Sequence, residues 1–186
     1  MLVRDRILDE LIRAGEDNRL EVHQGRLREK PEMSFDHNDV MIYLAHQLIS
    51  QLDRSLYRVH VDNSRVRRTD ATYYLPDLIV IPVHLAEPFR GRSDLLEIYD
   101  DPLPLVAEIW SKSTGDYDVD VKLPEYMERG DGEILRLHPY EHTLTAWCRQ
   151  TDGTYVKTVY HGGKVELVSL PGVVIDLDEL FAFVRR

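Results

Sequence analysis

Two nearly continuous apolar runs, at residues 73–82 and 104–110, constrain this chain more than any other feature. Both are short, rich in Ile, Val and Leu, and bounded by polar or Pro-containing segments. Such runs suit central strands buried on both faces of a sheet rather than amphipathic strands with one wet face. Each carries one acidic residue. Asp77 follows Pro76 and opens or interrupts the first run, and Glu108 lies between Ala107 and Ile109 in the second. A buried carboxylate must be paired, protonated or bound to a cation. Two of them on neighbouring strands could share one divalent ion, which prefers hard oxygen ligands. The alternative is that each is satisfied separately, by an arginine or by backbone amides.

Around these runs the pattern is α+β. Val3, Ile7, Leu8, Leu11 and Ile12 recur at helical spacing, predicting a short amphipathic helix near residues 2–14 that packs on the rest. Residues 19–31 read as a hairpin turning at Gln24-Gly25. A long helix follows, capped by Ser34 or Asp36, with Met41, Leu44, Ala45, Leu48 and Leu52 on one face. Residues 56–61 alternate as a strand, and the polar stretch 86–102 reads as an exposed loop with at most a helical turn. A helix ends near Gly130. The C-terminal part is β-rich, with a turn at Thr151-Asp152-Gly153, and closes in a helix from about residue 176. One domain over residues 1–186 is expected, with a central mixed β-sheet flanked by helices, since no linker or repeat divides the chain.

Cys148 is the sole cysteine, so a disulfide framework or a Cys-based zinc site within one chain is excluded. No segment reads as a signal peptide or membrane span, and a cytoplasmic location is expected. Nucleotide-binding glycine motifs are absent, which argues against a nucleotide cofactor. The net charge of −10, from 33 acidic and 23 basic residues, disfavours long-range attraction to phosphate backbones. The best basic strip, residues 64–68, could contact phosphates or guard an edge strand with charge. His138 and His142 lie four apart, but in a segment that reads as strand and turn, where that spacing does not form a metal pair.

The order proline-aspartate, then a strand glutamate, then a lysine resembles the PD-(D/E)XK nuclease superfamily. A closer resemblance is to the Uma2 family of restriction-endonuclease-like proteins of bacteria. It runs through Leu20-Glu21, Gly25, Ser34, His37, Pro76-Asp77, Glu108-Ile109-Trp110-Ser111-Lys112-Ser113-Thr114, Tyr117-Asp118, Lys122 and Tyr126. It ends at Leu170-Pro171-Gly172, Ile175-Asp176-Leu177 and Leu180-Phe181, so it covers almost everything from Arg19 onward. The superfamily lysine usually sits two residues after the glutamate; here Trp110 holds that place, and Lys122 resembles a lysine moved to the next helix. Lys112 stands where the family often has proline, and His138 where it commonly has aspartate. Residues 128–132 are also unusually rich in glycine and acid.

The resemblance implies a restriction-endonuclease-like core and a metal-dependent endonuclease acting on DNA. Asp77, Glu108 and Lys122 would be catalytic, with Mg²⁺ or Mn²⁺ on Asp77, Glu108 and the carbonyl of Ile109. Glu21, His37 and Asp118 are lesser candidates: Asp118 reads more simply as a helix N-cap, and His37 as an aid to capping the long helix. A surface position is the commoner fate of a lysine such as Lys122. Related nucleases pair to cut both strands, which implies a homodimer. Two other readings stay open, a non-catalytic protein of the same fold used for interaction or regulation, and a metal-dependent hydrolase of some other substrate.

Overall fold

The computed structural model describes residues 19–69, 71–93, 95–182 and 184. The helix expected at residues 2–14 lies outside them.

The hairpin forms as expected, from β1 (Leu20–His23) and β2 (Arg26–Glu29). Gln24 and Gly25 both have positive φ, 49° and 77°, which a two-residue turn needs if it is to match the twist of its strands. Helix α1 (Phe35–Gln51) starts where the Ser34 side chain accepts the backbone N–H of His37. Its inner face, Val40, Met41, Leu44, Ala45 and Leu48, packs on a six-stranded sheet. That sheet runs β11 (Tyr155–Tyr160), β10 (Thr143–Arg149), β9 (Glu133–His138), β8 (Leu105–Ile109), β6 (Leu78–Pro82), β3 (Tyr57–Val61). It is mixed: β8 and β9 are parallel, and the other neighbours are antiparallel.

The two apolar runs supply β6 and β8, side by side in the middle of this sheet. Alternation explains why both read as continuously apolar. Leu105, Ala107 and Ile109 face the α1 layer with Leu78 and Val80, while Val106, Ile79 and Ile81 face a second cluster containing Tyr74, Tyr126 and Trp147. Each fully buried side chain of this kind contributes about 1.5–3 kcal/mol. Glu108 is therefore placed in a strand with no wet face, and Asp77 lies directly before the start of another.

The first run is not one strand. It breaks at Leu75-Pro76-Asp77 into β5 (Thr72–Tyr74) and β6, which belong to different sheets. β5 joins a five-stranded sheet ordered β2, β1, β5, β4 (Arg65–Thr69), β7 (Ile98–Tyr99), a second layer that the sequence did not announce. The break is sustained by side chains: Leu75 N–H donates to Glu21 Oε1 at 3.0 Å, and Leu75 C=O accepts from Lys30 Nζ at 2.8 Å. Pro76 itself has no N–H to leave unpaired. The stretch 86–102 carries a little more structure than a loop, with α2 (Val83–Ala86) and a 3₁₀ turn before it reaches β7.

The basic strip forms β4, which is an interior strand and not a guarded edge. Arg67 is ion-paired with Asp100 and Arg68 with Glu128, so neither is a free phosphate contact. After β8 the chain makes one turn of helix, α3 (Gly115–Tyr117), a widened π-turn (Asp118–Lys122), and α4 (Leu123–Arg129). Gly130 ends α4 in the left-handed conformation at φ 84°. A two-stranded ribbon, β12 (Lys164–Glu166) and β13 (Val174–Asp176), leads to α5 (Leu177–Leu180), capped by Asp176. Among the described residues no helix is long and apolar enough to cross a membrane.

Candidate active site

β6 and β8 pair with Leu78 opposite Ala107, and continuing that register places Asp77 opposite Glu108. The Ile109 N–H confirms the proximity by donating to Asp77 Oδ2 at 2.6 Å. Two further donors converge on Asp77. Lys30, just beyond β2, reaches Oδ1 at 2.6 Å, and His37, in the first turn of α1, places Nε2 3.0 Å from Oδ2. Lys30 also donates to Asp62 Oδ1 at 2.9 Å, which together with Leu75 C=O uses all three ammonium protons. Burial alone would push the Asp77 carboxyl up. The Lys30 ammonium and the hydrogen bond to His37 outweigh it and hold the pKa well below the usual range.

Glu108 sits in a second, adjoining knot. Tyr126 OH donates to its Oε1 at 2.6 Å, and Lys122 Nζ does so at 3.2 Å. The same ammonium lies 2.7 Å from Glu21 Oε1 and 3.3 Å from Asp118 Oδ1, so one cation faces three carboxylates. The widened turn that carries Asp118 and Lys122 is of a kind that often marks functional sites. Burial pushes the Glu108 pKa up to about 8; Lys122 opposes the shift, while Asp118 and Asp77 reinforce it. Burial also disfavours the Lys122 ammonium, but Glu108, Glu21 and Asp118 raise its pKa well above the ordinary value. It is a fixed positive charge at neutral pH.

The structure thus gathers Asp77, Glu108, Lys122, Glu21, His37 and Asp118 at one place. Lys122 is not a surface lysine, being 1% exposed. Asp118 is not a helix cap: Thr114 occupies that position, and Asp118 lies inside the helical run with Oδ1 buried and without a hydrogen bond. His37 does not cap α1 with its ring, which turns inward to Asp77 instead. The sequence reading missed Lys30 and the chemical part of Tyr126. A lysine next to Pro31 carries no sign of burial in the sequence, whereas Tyr126, one turn beyond Lys122, could have been found from helical spacing.

Four buried carboxylates (Glu21, Asp77, Glu108, Asp118) thus face two buried ammonium groups (Lys30, Lys122), an excess of two negative charges when all are ionised. That excess and the hard oxygen donors match a divalent cation in charge and chemistry. Among the described residues no group of three or more His, Cys, Asp and Glu side chains could hold an ion alone. Mg²⁺ does not require one, because it binds through one or two carboxylates and completes its shell with water and phosphate. The residues fit such an ion as a partial shell.

The comparisons with known proteins agree with this picture at the level of family and fold. A family model described as "Uma2: Putative restriction endonuclease" matches residues 7–178. The chain belongs to the Uma2 family. The resemblance read from the sequence is thereby borne out. No curated protein matches the chain. Among solved structures it is similar to a "putative nuclease belonging to DUF820" from Anabaena variabilis ATCC 29413, at 18% identity and a TM-score of 0.77. The match covers 95% of this chain and 98% of that one, and at this identity it establishes the fold alone. The α+β, restriction-endonuclease-like architecture of this Uma2 chain agrees with it.

Proposed function

We propose that the chain is a divalent-metal-dependent endonuclease that hydrolyses phosphodiester bonds in DNA. The observation that carries this reading is the opposition of Asp77 and Glu108 across β6 and β8, with the Lys122 ammonium 3.2 Å from Glu108. A structural protein gains little from burying four carboxylates against two lysines, since apolar residues of like volume pack as well or better.

Asp77, Glu108 and the Ile109 carbonyl would hold Mg²⁺ or Mn²⁺. Such an ion, when bound, polarises a phosphodiester and makes a bound water more acidic. The chain's own groups do the positioning. Lys30, His37 and the Ile109 N–H fix Asp77 in one orientation. Tyr126 holds Glu108. Lys122 acts as a permanent cation beside the reacting phosphate and stabilises negative charge as it develops; a group so firmly protonated is no general base at neutral pH. Cutting both strands of a duplex calls for two such centres, so a homodimer belongs to the same reading.

A second reading, a non-catalytic protein on the nuclease fold, draws on one specific observation. The site is closed. Asp77, Glu108 and Lys122 are 1%, 4% and 1% exposed, and the cavity beside Glu108 is about 10 Å³, the lower limit for a single water.

Calorimetric titration of Mn²⁺ into the wild type and an Asp77→Ala/Glu108→Ala variant, with plasmid nicking by both, separates the two. Saturable binding and nicking by the wild type alone are expected. A wild type that takes up no metal overturns the catalytic reading.

A further inference from the structure

Beyond the carboxylates, on the same side of the sheet, lies a group of aromatic rings that the chemistry above does not use. Trp110 and His138 stack with centroids 4.2 Å apart and planes 21° from parallel. Tyr140 stands edge-on to both, at 5.9 and 6.3 Å, and is 55% exposed. Trp110 follows β8 and His138 ends β9, the one parallel pair of the six-stranded sheet, with Ile109 opposite Leu137. The next pair outward is therefore Trp110 and His138, and the pair two residues inward is Glu108 and Arg136. Both pairs project from one face, and the aromatic pair sits ~6.6 Å further along the strands.

The platform is firmly held. A Cβ at Gly115 would fall 2.1 Å from Trp110 Nε1, so α3 is pressed against the indole edge at the one residue type that allows it. Burial, with help from Arg136 and against Glu141, lowers the His138 pKa, so the ring is neutral at pH 7 and stacks as an aromatic. Arg136 belongs to the inner pair. Its Nη2 donates to Gly115 C=O at 3.3 Å, its buried Nε has no hydrogen-bond partner among the described residues, and it lines the same cavity as Glu108 and Asp118.

Charge selects the kind of ligand. At a net charge of −10, with Arg67 and Arg68 committed to carboxylates, the protein has little general attraction for a phosphate backbone. Stacking on neutral rings needs no net positive charge and contributes substantially per base. In a duplex the base faces are covered by their neighbours, whereas an unpaired base leaves them open.

We propose that Trp110, His138 and Tyr140 form a stacking platform for an unpaired base of single-stranded DNA. The choice of DNA rests on the nuclease reading, but stacking itself needs neither metal nor cleavage.

The test is fluorescence anisotropy of a dye-labelled oligothymidylate, and of a duplex of equal length, in EDTA. The wild type binds the single strand more tightly. Tyr140→Ala and His138→Ala each weaken single-strand binding about tenfold and leave duplex binding unchanged. Tyr140→Phe, which keeps the ring, binds like the wild type. Tyr140 is exposed at a turn, so its variants fold, and thermal melts verify it. Variants that bind like the wild type, losses equal for duplex and single strand, or a wild type that binds no oligonucleotide each overturn the platform. Plasmid nicking in Mn²⁺ is scored separately. Variants that bind like the wild type while nicking is present sink the platform alone; absent nicking with the single-strand preference intact sinks the nuclease reading alone.

Discussion

Lys30 Nζ lies 2.6 Å from Asp77 Oδ1, across 47 positions of chain, and both side chains are almost completely buried. Neither charge would be tolerated there alone. Replacing Lys30 by Met strips the buried Asp77 carboxylate of its ammonium, leaving only His37 and the Ile109 N–H on its other oxygen, and costs about 3–5 kcal/mol. Urea denaturation of Lys30→Met, Asp77→Asn and the double variant measures it. The double variant recovers part of the loss, because the stranded charge is gone. Simple additivity would refute the coupling.

The pH dependence of stability follows from two carboxylates with opposite signs. Glu108 has a folded-state pKa of about 8, above its ordinary value of 4.5, so the folded protein holds the extra proton between those values. Its contribution is fully present below pH 4.5 and is lost as pH rises toward 8. Asp77 is held below its ordinary value of 3.8, so its contribution is present above that pH and is lost in acid. Metal-free protein melted in EDTA across this range shows the alkaline decline, and Glu108→Gln flattens it. An unchanged slope in the variant would show that Glu108 is not the titrating group.

Tyr126 OH is one of two side-chain donors to Glu108 Oε1 and lies 2.6 Å from it. Tyr126→Phe removes a single oxygen, keeps the ring packed beside Tyr74, and leaves a buried acceptor short of a donor. A loss of about 1–3 kcal/mol is expected. If the variant matches the wild type in denaturant, Glu108 does not depend on this bond.

Gly115 is required for its small size. Even the methyl group of Ala would strike the edge of the Trp110 indole at 2.1 Å, and His138 is stacked on a face of the same ring. Gly115→Ala is expected to cost about 1–3 kcal/mol through overpacking and to shift tryptophan emission as the ring is displaced. Trp147, buried in the second core cluster, supplies the unchanged background.

Bound metal should stabilise the fold by mass action, by about 2.7 kcal/mol at a hundredfold excess over Kd. A rise in Tm with added Mn²⁺, abolished by Asp77→Asn, is the expected result. A wild-type Tm indifferent to Mn²⁺ would count directly against the metal site.

Local pattern determined much of this protein. The hairpin at Gln24-Gly25, the long helix capped by Ser34, the two central strands, the stop at Gly130 and the turn at residues 151–153 each follow from a few neighbouring side chains. These features depend on backbone conformation and on apolar periodicity, both of which are written in consecutive residues. The candidate carboxylates were legible for a related reason, since an acidic residue in an all-apolar strand stands out wherever it occurs.

Tertiary structure alone decided what those carboxylates meet. That Lys30 is buried, that His37 turns to Asp77 rather than to its own helix end, and that Asp118 joins Lys122 instead of capping a helix all depend on distant strands arriving at one place. The splitting of residues 73–82 between two sheets is of the same kind, because it needs Glu21 and Lys30 from another hairpin to satisfy Leu75. A charged side chain carries no local signature of its partner. Its burial becomes favourable only when the opposite charge is delivered within hydrogen-bonding distance, and only the folded chain makes that delivery.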